Sequence, residues 1–175
     1  MFKSVVLATD GSDHAKRATA IAAEIAASFK ARLTVVTVLP RSMSLEDIEA
    51  APQARRLPRD SKEFIRRIHD SLRDTRTIDV DVHQYIPAMP SLKEALAEVI
   101  LDEAETLAGR KKANKITRVI DHGDAATQIL KQARKAKADL IVMGTRGLGN
   151  FRGLLIGSVS NSVINQSKSA VLTVK

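Results

Sequence analysis

Five of the eight glycines in this 175-residue chain fall within fourteen residues, in GTRGLGNFRGLLIG from Gly144 to Gly157. Glycine is entropically costly in a fixed backbone, so a cluster marks unusual dihedrals or backbone that a ligand approaches closely. The pattern is Gly144, two residues, Gly147, nine residues, Gly157 and Ser158, with Ser158 opening a helix-like stretch. Backbone amides freed of side chains, together with a helix N-terminus, make an anion site suited to a polyphosphate. Two familiar phosphate loops are excluded. No Gly-Lys-Ser/Thr completes a P-loop, and Gly147, Gly149 and Gly153 miss the dinucleotide fingerprint by one residue. A long surface turn remains the alternative reading of the same glycines.

The elements that must position this loop are legible as an alternation. SVVLAT, RLTVVTVL, KITRVID, DLIVMG and AVLTVK read as strands, nearly all apolar rather than alternating. Between them, DHAKRATAIAAEIAASFK carries Ala18, Ile21, Ala22, Ile25, Ala26 and Phe29 on one stripe, with Ser12 or Asp13 placed to cap it. SLKEALAEVILDEAETLAG has Ser91 and Glu94 at capping-box spacing, with Leu92, Leu96, Val99 and Leu107 along one face, and ends at Gly109. Asp124 is placed to cap a helix burying Ile129, Leu130 and Ala133. SVSNSVINQS is a short helix with Val159, Val163 and Ile164 on one face.

Strands alternating with helices imply an α/β fold, an open doubly wound parallel sheet with helices on both faces. One domain is expected over 1–175, interrupted by an insertion at about 41–90. Within the insertion, RDSKEFIRRIHDSLRD offers an amphipathic face of Phe64, Ile65, Ile68 and Leu72, and TIDVDVHQYIP alternates like a strand. In such sheets ligands settle at the carboxyl ends of the strands, which selects TDGSD, LPRS and the glycine loop.

Composition narrows the function classes. The absence of cysteine excludes a disulfide framework, a thiol nucleophile and a thiolate zinc site, and fits a reducing compartment. The opening apolar run ends at Asp10, too early for a signal peptide, and no eighteen-residue apolar stretch occurs; a cytoplasmic protein without a membrane span is expected. A net charge of +8 invites nucleic acid. The basic stretches GRKKANK and KQARKAKAD are short, sit at expected helix ends, and come with only 3% aromatic residues to stack on bases, which argues against it. His14, His69, His83 and His122 show no paired metal spacing, and no Gly-x-Ser-x-Gly elbow surrounds a serine. No residue is assigned a catalytic role.

GTRGLGNFRGLLIGS, VVLATDGSDHAKRA, IDHGDAATQI, ADLIVMGTRG and GSVSNSVINQSKSAVLTVK, in that family's expected order, resemble the universal stress protein family and its ATP-binding branch. The resemblance covers both ends of the chain and leaves Arg41 to Pro90 largely unmatched. It implies a five-stranded sheet of order 3-2-1-4-5, Rossmann-like and of the adenine nucleotide alpha hydrolase type. It also implies a homodimer paired through the last strand, Ala170 to Val174. Carried over by position, Ala8, Thr9 and Asp10 match the segment lining the nucleotide pocket, with Asp10 near the ribose or a phosphate-bound Mg2+. Val38 matches the residue whose backbone reads adenine. Met143, Gly144, Thr145, Arg146 and Gly147 match the first half of the phosphate loop, and Gly157, Ser158, Val159 and Ser160 the second. Asp10 also reads as a turn-former before Gly11, and Arg146 as a solvated loop residue. Ala8 replaces a frequent proline of the family.

The implied function is an ATP-binding, stress-responsive regulatory protein acting on an unidentified protein partner. A slow ATP hydrolase or phosphotransferase is the alternative from another class, although the sequence supplies no clear base. A basic nucleic-acid-associated protein is the third.

Overall fold

The computed structural model describes residues 2–73, 89–113, 115–148 and 157–175, with only the backbone described over 71–73. Five strands, β1 (Ser4–Ala8), β2 (Arg32–Leu39), β3 (Ile116–His122), β4 (Leu140–Gly144) and β5 (Ala170–Val174), form one parallel sheet of order β3-β2-β1-β4-β5. Central strands that are covered on both faces need apolar side chains on both sides of the pleat. β1 and β4 accordingly bury every residue.

The pleat divides these strands between two layers. Val5, Leu7, Leu33, Val35, Leu140 and Val142 point to α1 (Asp13–Phe29) and α4 (Met89–Arg110). Val6, Ala8, Val36, Ile141 and Met143 point to α5 (Ala125–Ala136) and α6 (Ser158–Gln166). The predicted stripe of α1 is the buried one at Ala18, Ala22 and Ala26, while Phe29 stands out at 38% exposure with its ring edge-on to Phe2. Ser12 caps this helix, accepting from the amide of Ala15, and Asp13 falls in its first turn. Asp124 caps α5 as its spacing predicts.

One boundary differs. α4 begins at Met89 with Pro90 in the first turn, where a missing N–H costs nothing, so Ser91 lies inside the helix instead of capping it. Glu94, the other half of the expected capping box, faces His122 at 2.9 Å.

The segment after β2 folds back onto α4. α2 (Leu45–Ala50) starts in a capping box between Ser44 and Asp47, a 3-10 turn spans Pro52–Arg56, and α3 (Arg59–Arg73) follows. Ile48, Ala51, Leu57, Ile65 and Ile68 are buried, and all but Ile68 cluster with Leu92, Leu96 and Ile100 of α4. The helix expected from RDSKEFIRRIHDSLRD is therefore present. The strand expected from TIDVDVHQYIP lies outside the described residues, as does the loop interior from 149 to 156.

Candidate functional site

Sheet order alone creates the site. β1 runs between β2 and β4, so the chain reverses its winding between β1 and β4, and above their carboxyl ends lies the switch point where ligands settle in sheets of this kind. Ala8 pairs with Met143 at that edge, both buried. Beyond them the two loops touch. Oδ2 of Asp10 accepts a hydrogen bond from the amide of Leu148 at 2.9 Å, and Oδ1 accepts from the amide of Ser12 at 3.0 Å. Gly147 lies against that carboxylate so closely that any Cβ there would overlap Oδ2. Asp10, half-buried, thus acts both as the turn-former of its own loop and as the anchor of the glycine loop.

Thr145 joins the loop to the rest of the fold. Its amide donates to the carbonyl of Val174 at 2.8 Å, its carbonyl accepts from the amide of Gly157 at 2.7 Å, and its hydroxyl meets Nδ1 of His14 at 2.8 Å. The Gly157 bond closes the loop on itself and brings the start of α6 back to the end of β4. Gly157 is the N-cap of α6 and offers no side-chain acceptor, so among the described residues no side chain caps the amides of the first turn, Ser158 to Ser160. Ser158 is exposed and Val159 is half-buried among apolar neighbours. The Ser160 hydroxyl is turned inward, donating to the carbonyl of Gly144 at 2.9 Å.

Val38 stands apart from this group. The register places Val36 opposite Ala8, so Val38 extends two residues past the end of β1, on the α5–α6 face. Thr9 is buried and tied to β2, its carbonyl accepting from the hydroxyl of Thr37 at 2.9 Å. Arg146 and Gly147 are exposed at the mouth.

Three contributors escape the sequence reading. Thr37 fixes Thr9, His14 contacts Thr145, and Gln53 reaches the turn at Gly11 from the layer after β2, donating from Nε2 to the Gly11 carbonyl at 2.8 Å. The histidine carried a weak signal, one turn after Asp10 at a helix start. Gln53 carried none, being 42 residues from its partner and of a type usually exposed.

A model of the universal stress protein family matches residues 1–175, the segment after β2 included. The chain belongs to the universal stress protein family. Among curated relatives, a universal stress protein of Thermus aquaticus is 34% identical over 175 residues, covering all of both chains. The stress response protein NhaX of Bacillus subtilis is 28% identical over 98% of this chain and 96% of its own. Among solved structures, a universal stress protein in complex with cAMP has a TM-score of 0.61 at 27% identity, covering 99% of this chain and 96% of its own. The universal stress protein of Archaeoglobus fulgidus in complex with dAMP, at 20% identity and a TM-score of 0.59, covers 100% of this chain and 98% of its own and shares the Rossmann-like fold. No helix among the described residues is long and apolar enough to cross a membrane.

Proposed function

We propose that this universal stress protein binds an adenine nucleotide, ATP with Mg2+, in the crevice between β1 and β4, and acts as a nucleotide-dependent regulatory homodimer in the stress response. The observation that carries this is the closure of Gly157 onto Thr145, which sets the uncapped start of α6 beside the Asp10-anchored loop. A polyphosphate there satisfies amides that no side chain among the described residues serves, and the local positive end of the helix favours its charge. Ala8, Thr9 and Asp10 line the floor, Val38 borders the adenine side, Met143 to Gly147 hold the first phosphates, and Gly157 to Ser160 hold the last. The cAMP-bound relative supports adenine as the base.

The donor set fits a phosphate-held cation better than a protein-built one. No group of three metal-ligating side chains occurs among the described residues, and Mg2+ is commonly held by one carboxylate plus phosphate oxygens. Asp10 keeps a second lone pair on each oxygen for that purpose. Hydrolysis is the weaker reading, because both Asp10 oxygens already accept backbone amides and the carboxylate is poorly placed as a base.

Among the described residues β5 is an edge strand paired only with β4, and Leu172 on β5 and Ile164 on α6 are exposed, which supports pairing of two copies along Ala170 to Val174. A cytoplasmic site of action and a protein partner complete the reading. Its test is calorimetric titration of nucleotide-free protein with ATP, ADP, AMP and GTP in magnesium. Micromolar ATP binding that disappears in Gly157→Val supports it; absence of adenine nucleotide binding refutes it. Light scattering on Leu172→Glu, expected as a monomer, tests the dimer.

A further inference from the structure

The layer formed by 45–73 contributes one polar residue to the heart of the fold. Gln53 is 1% exposed, although glutamine is ordinarily a surface residue. Its Nε2 donates to the Gly11 carbonyl at 2.8 Å and to Oε2 of Glu103 on α4 at 2.7 Å. Both partners are acceptors, so the orientation of the amide is settled. The carboxamide lies flat on Gly11, with Cδ, Nε2 and Oε1 each 2.6 Å from where a Cβ would stand. Gly11 has a φ of +76°, so the turn needs glycine for its backbone and again for this contact. Glu103 in turn faces Lys16 of α1 at 3.5 Å and Arg56 at 3.8 Å.

The remaining acceptor is the telling one. Oε1 of Gln53 is buried with no hydrogen-bond partner among the described residues, which costs desolvation. What Gln53 gains by its amide is a fixed grip on the carbonyl next to Asp10, from the α1–α4 side of the turn, opposite the glycine loop. The apolar residues around it, Ile48, Ala51 and Leu57, seat the 3-10 turn on Leu92, Leu96 and Ile100 and so aim the grip.

We infer that Gln53 is a positioning residue: it sets the shape of the Asp10–Gly11 turn, and through that turn the docked 45–73 layer controls affinity at the nucleotide site. The inference rests on the nucleotide reading for its functional half, while its structural half stands on the turn alone. The layer that interrupts the alternation of strands and helices is then a support of the site from behind. Neither an independent unit nor an obstruction is needed to explain it.

The experiment uses the full chain with Gln53→Met, which keeps the volume and removes the donor, and Gln53→Glu, which restores a donor only when protonated. Amide resonances of Gly11 and Ser12 report the turn, and calorimetry reports ATP affinity, each as a ratio to the unaltered protein at the same pH. Gln53→Met is expected to shift both resonances and weaken ATP by about fivefold or more, with a single cooperative unfolding transition retained. Gln53→Glu is expected to depart further than Gln53→Met at pH 8, where a carboxylate would face Glu103 and the Gly11 carbonyl, and to recover part of the way toward the unaltered protein as the pH falls to 5, because burial and the Glu103 charge favour the neutral acid, which donates once. Unmoved Gly11 and Ser12 resonances in Gln53→Met overturn the inference whether or not ATP binds. Moved resonances with unchanged ATP affinity overturn its functional half. If the unaltered protein binds no ATP, the nucleotide reading fails separately, and recovery of the resonances at low pH still decides the structural half.

Discussion

The carboxylate of Asp10 holds the amide of Leu148 at 2.9 Å, so the acid at the end of the first strand anchors a loop 138 residues away. Its other oxygen holds Ser12, which makes Asp10 a brace between two turns. Asp10→Ala leaves both amides without that acceptor and is expected to lower unfolding stability by about 1.5 kcal/mol, measured by denaturant titration. ATP affinity is expected to fall about tenfold or more in the same protein. Asp10→Asn, which keeps one oxygen acceptor, should fall between the two. Equal affinity in all three proteins would remove Asp10 from the site.

Glycines in this chain differ in what surrounds them, and alanine scanning should separate them. A Cβ on Gly147 collides with Asp10, whereas one on Gly109, near the end of α4, meets nothing within 4 Å. Gly147→Ala is expected to displace the loop and weaken ATP by about tenfold. Gly109→Ala is expected to leave binding unchanged and to raise stability by up to about 1 kcal/mol, through helix propensity. Thermal unfolding and calorimetry on the pair check both.

Gly157→Val places a branched side chain where the phosphate is expected, and its Cβ stands 3.2 Å from the Thr145 carbonyl, an approach relieved if that carbonyl gives by a few tenths of an ångström. The expected result is a folded protein that no longer binds ATP, with circular dichroism unchanged. Retained affinity would move the phosphates away from the start of α6.

Acid should loosen the fold through its caps. Hydrogen bonds from the Thr127 side chain and backbone hold the Asp124 carboxyl below its usual pKa, and those from the backbone amides of Lys3 and Ser4 do the same for Asp139. A depressed folded pKa means stability that is present above the unfolded value near 4 and is lost as pH falls through the folded value. Unfolding midpoints are therefore expected to be flat above about pH 5 and to decline below about pH 4. Asp124→Ala should cost about 1 kcal/mol at pH 7, as the loss of an N-cap, and should flatten part of that decline.

Most of the sheet was legible because strands buried on both faces have nowhere to put polar residues. SVVLA and LIVMG admit no other reading at their length, and the order 3-2-1-4-5 implied by the family resemblance is the order observed. Caps were legible where one side chain decides them, as at Ser12 and Asp124. Ser91 misled because Pro90 is as good a helix opener as the capping box that follows it. The site residues that the sequence singled out are brought together at the ends of β1 and β4, with Val38 set two residues beyond. What escaped was every contact made across long separations by an unremarkable residue type. Nothing in PQARRLP says that Gln53 turns inward, because burial of an isolated amide depends on the carbonyl that awaits it.

The small residues of α1 have an effect beyond its own packing. Ala15, Ala18, Ala22 and Ala26 let the helix lie close to the sheet, and its first turn then presses on the end of β4: a Cβ at Gly144 would stand 2.8 Å from that of His14. The opening glycine of the loop is thus demanded by the helix above it, independently of any phosphate. Gly157 is pressed less hard, a Cβ there standing 3.2 Å from the Thr145 carbonyl. A lineage that abandoned the nucleotide would be free to lose the last glycine while still retaining the first. Divergence at Gly157, with Gly144 intact, would then be the scar of a discarded ligand.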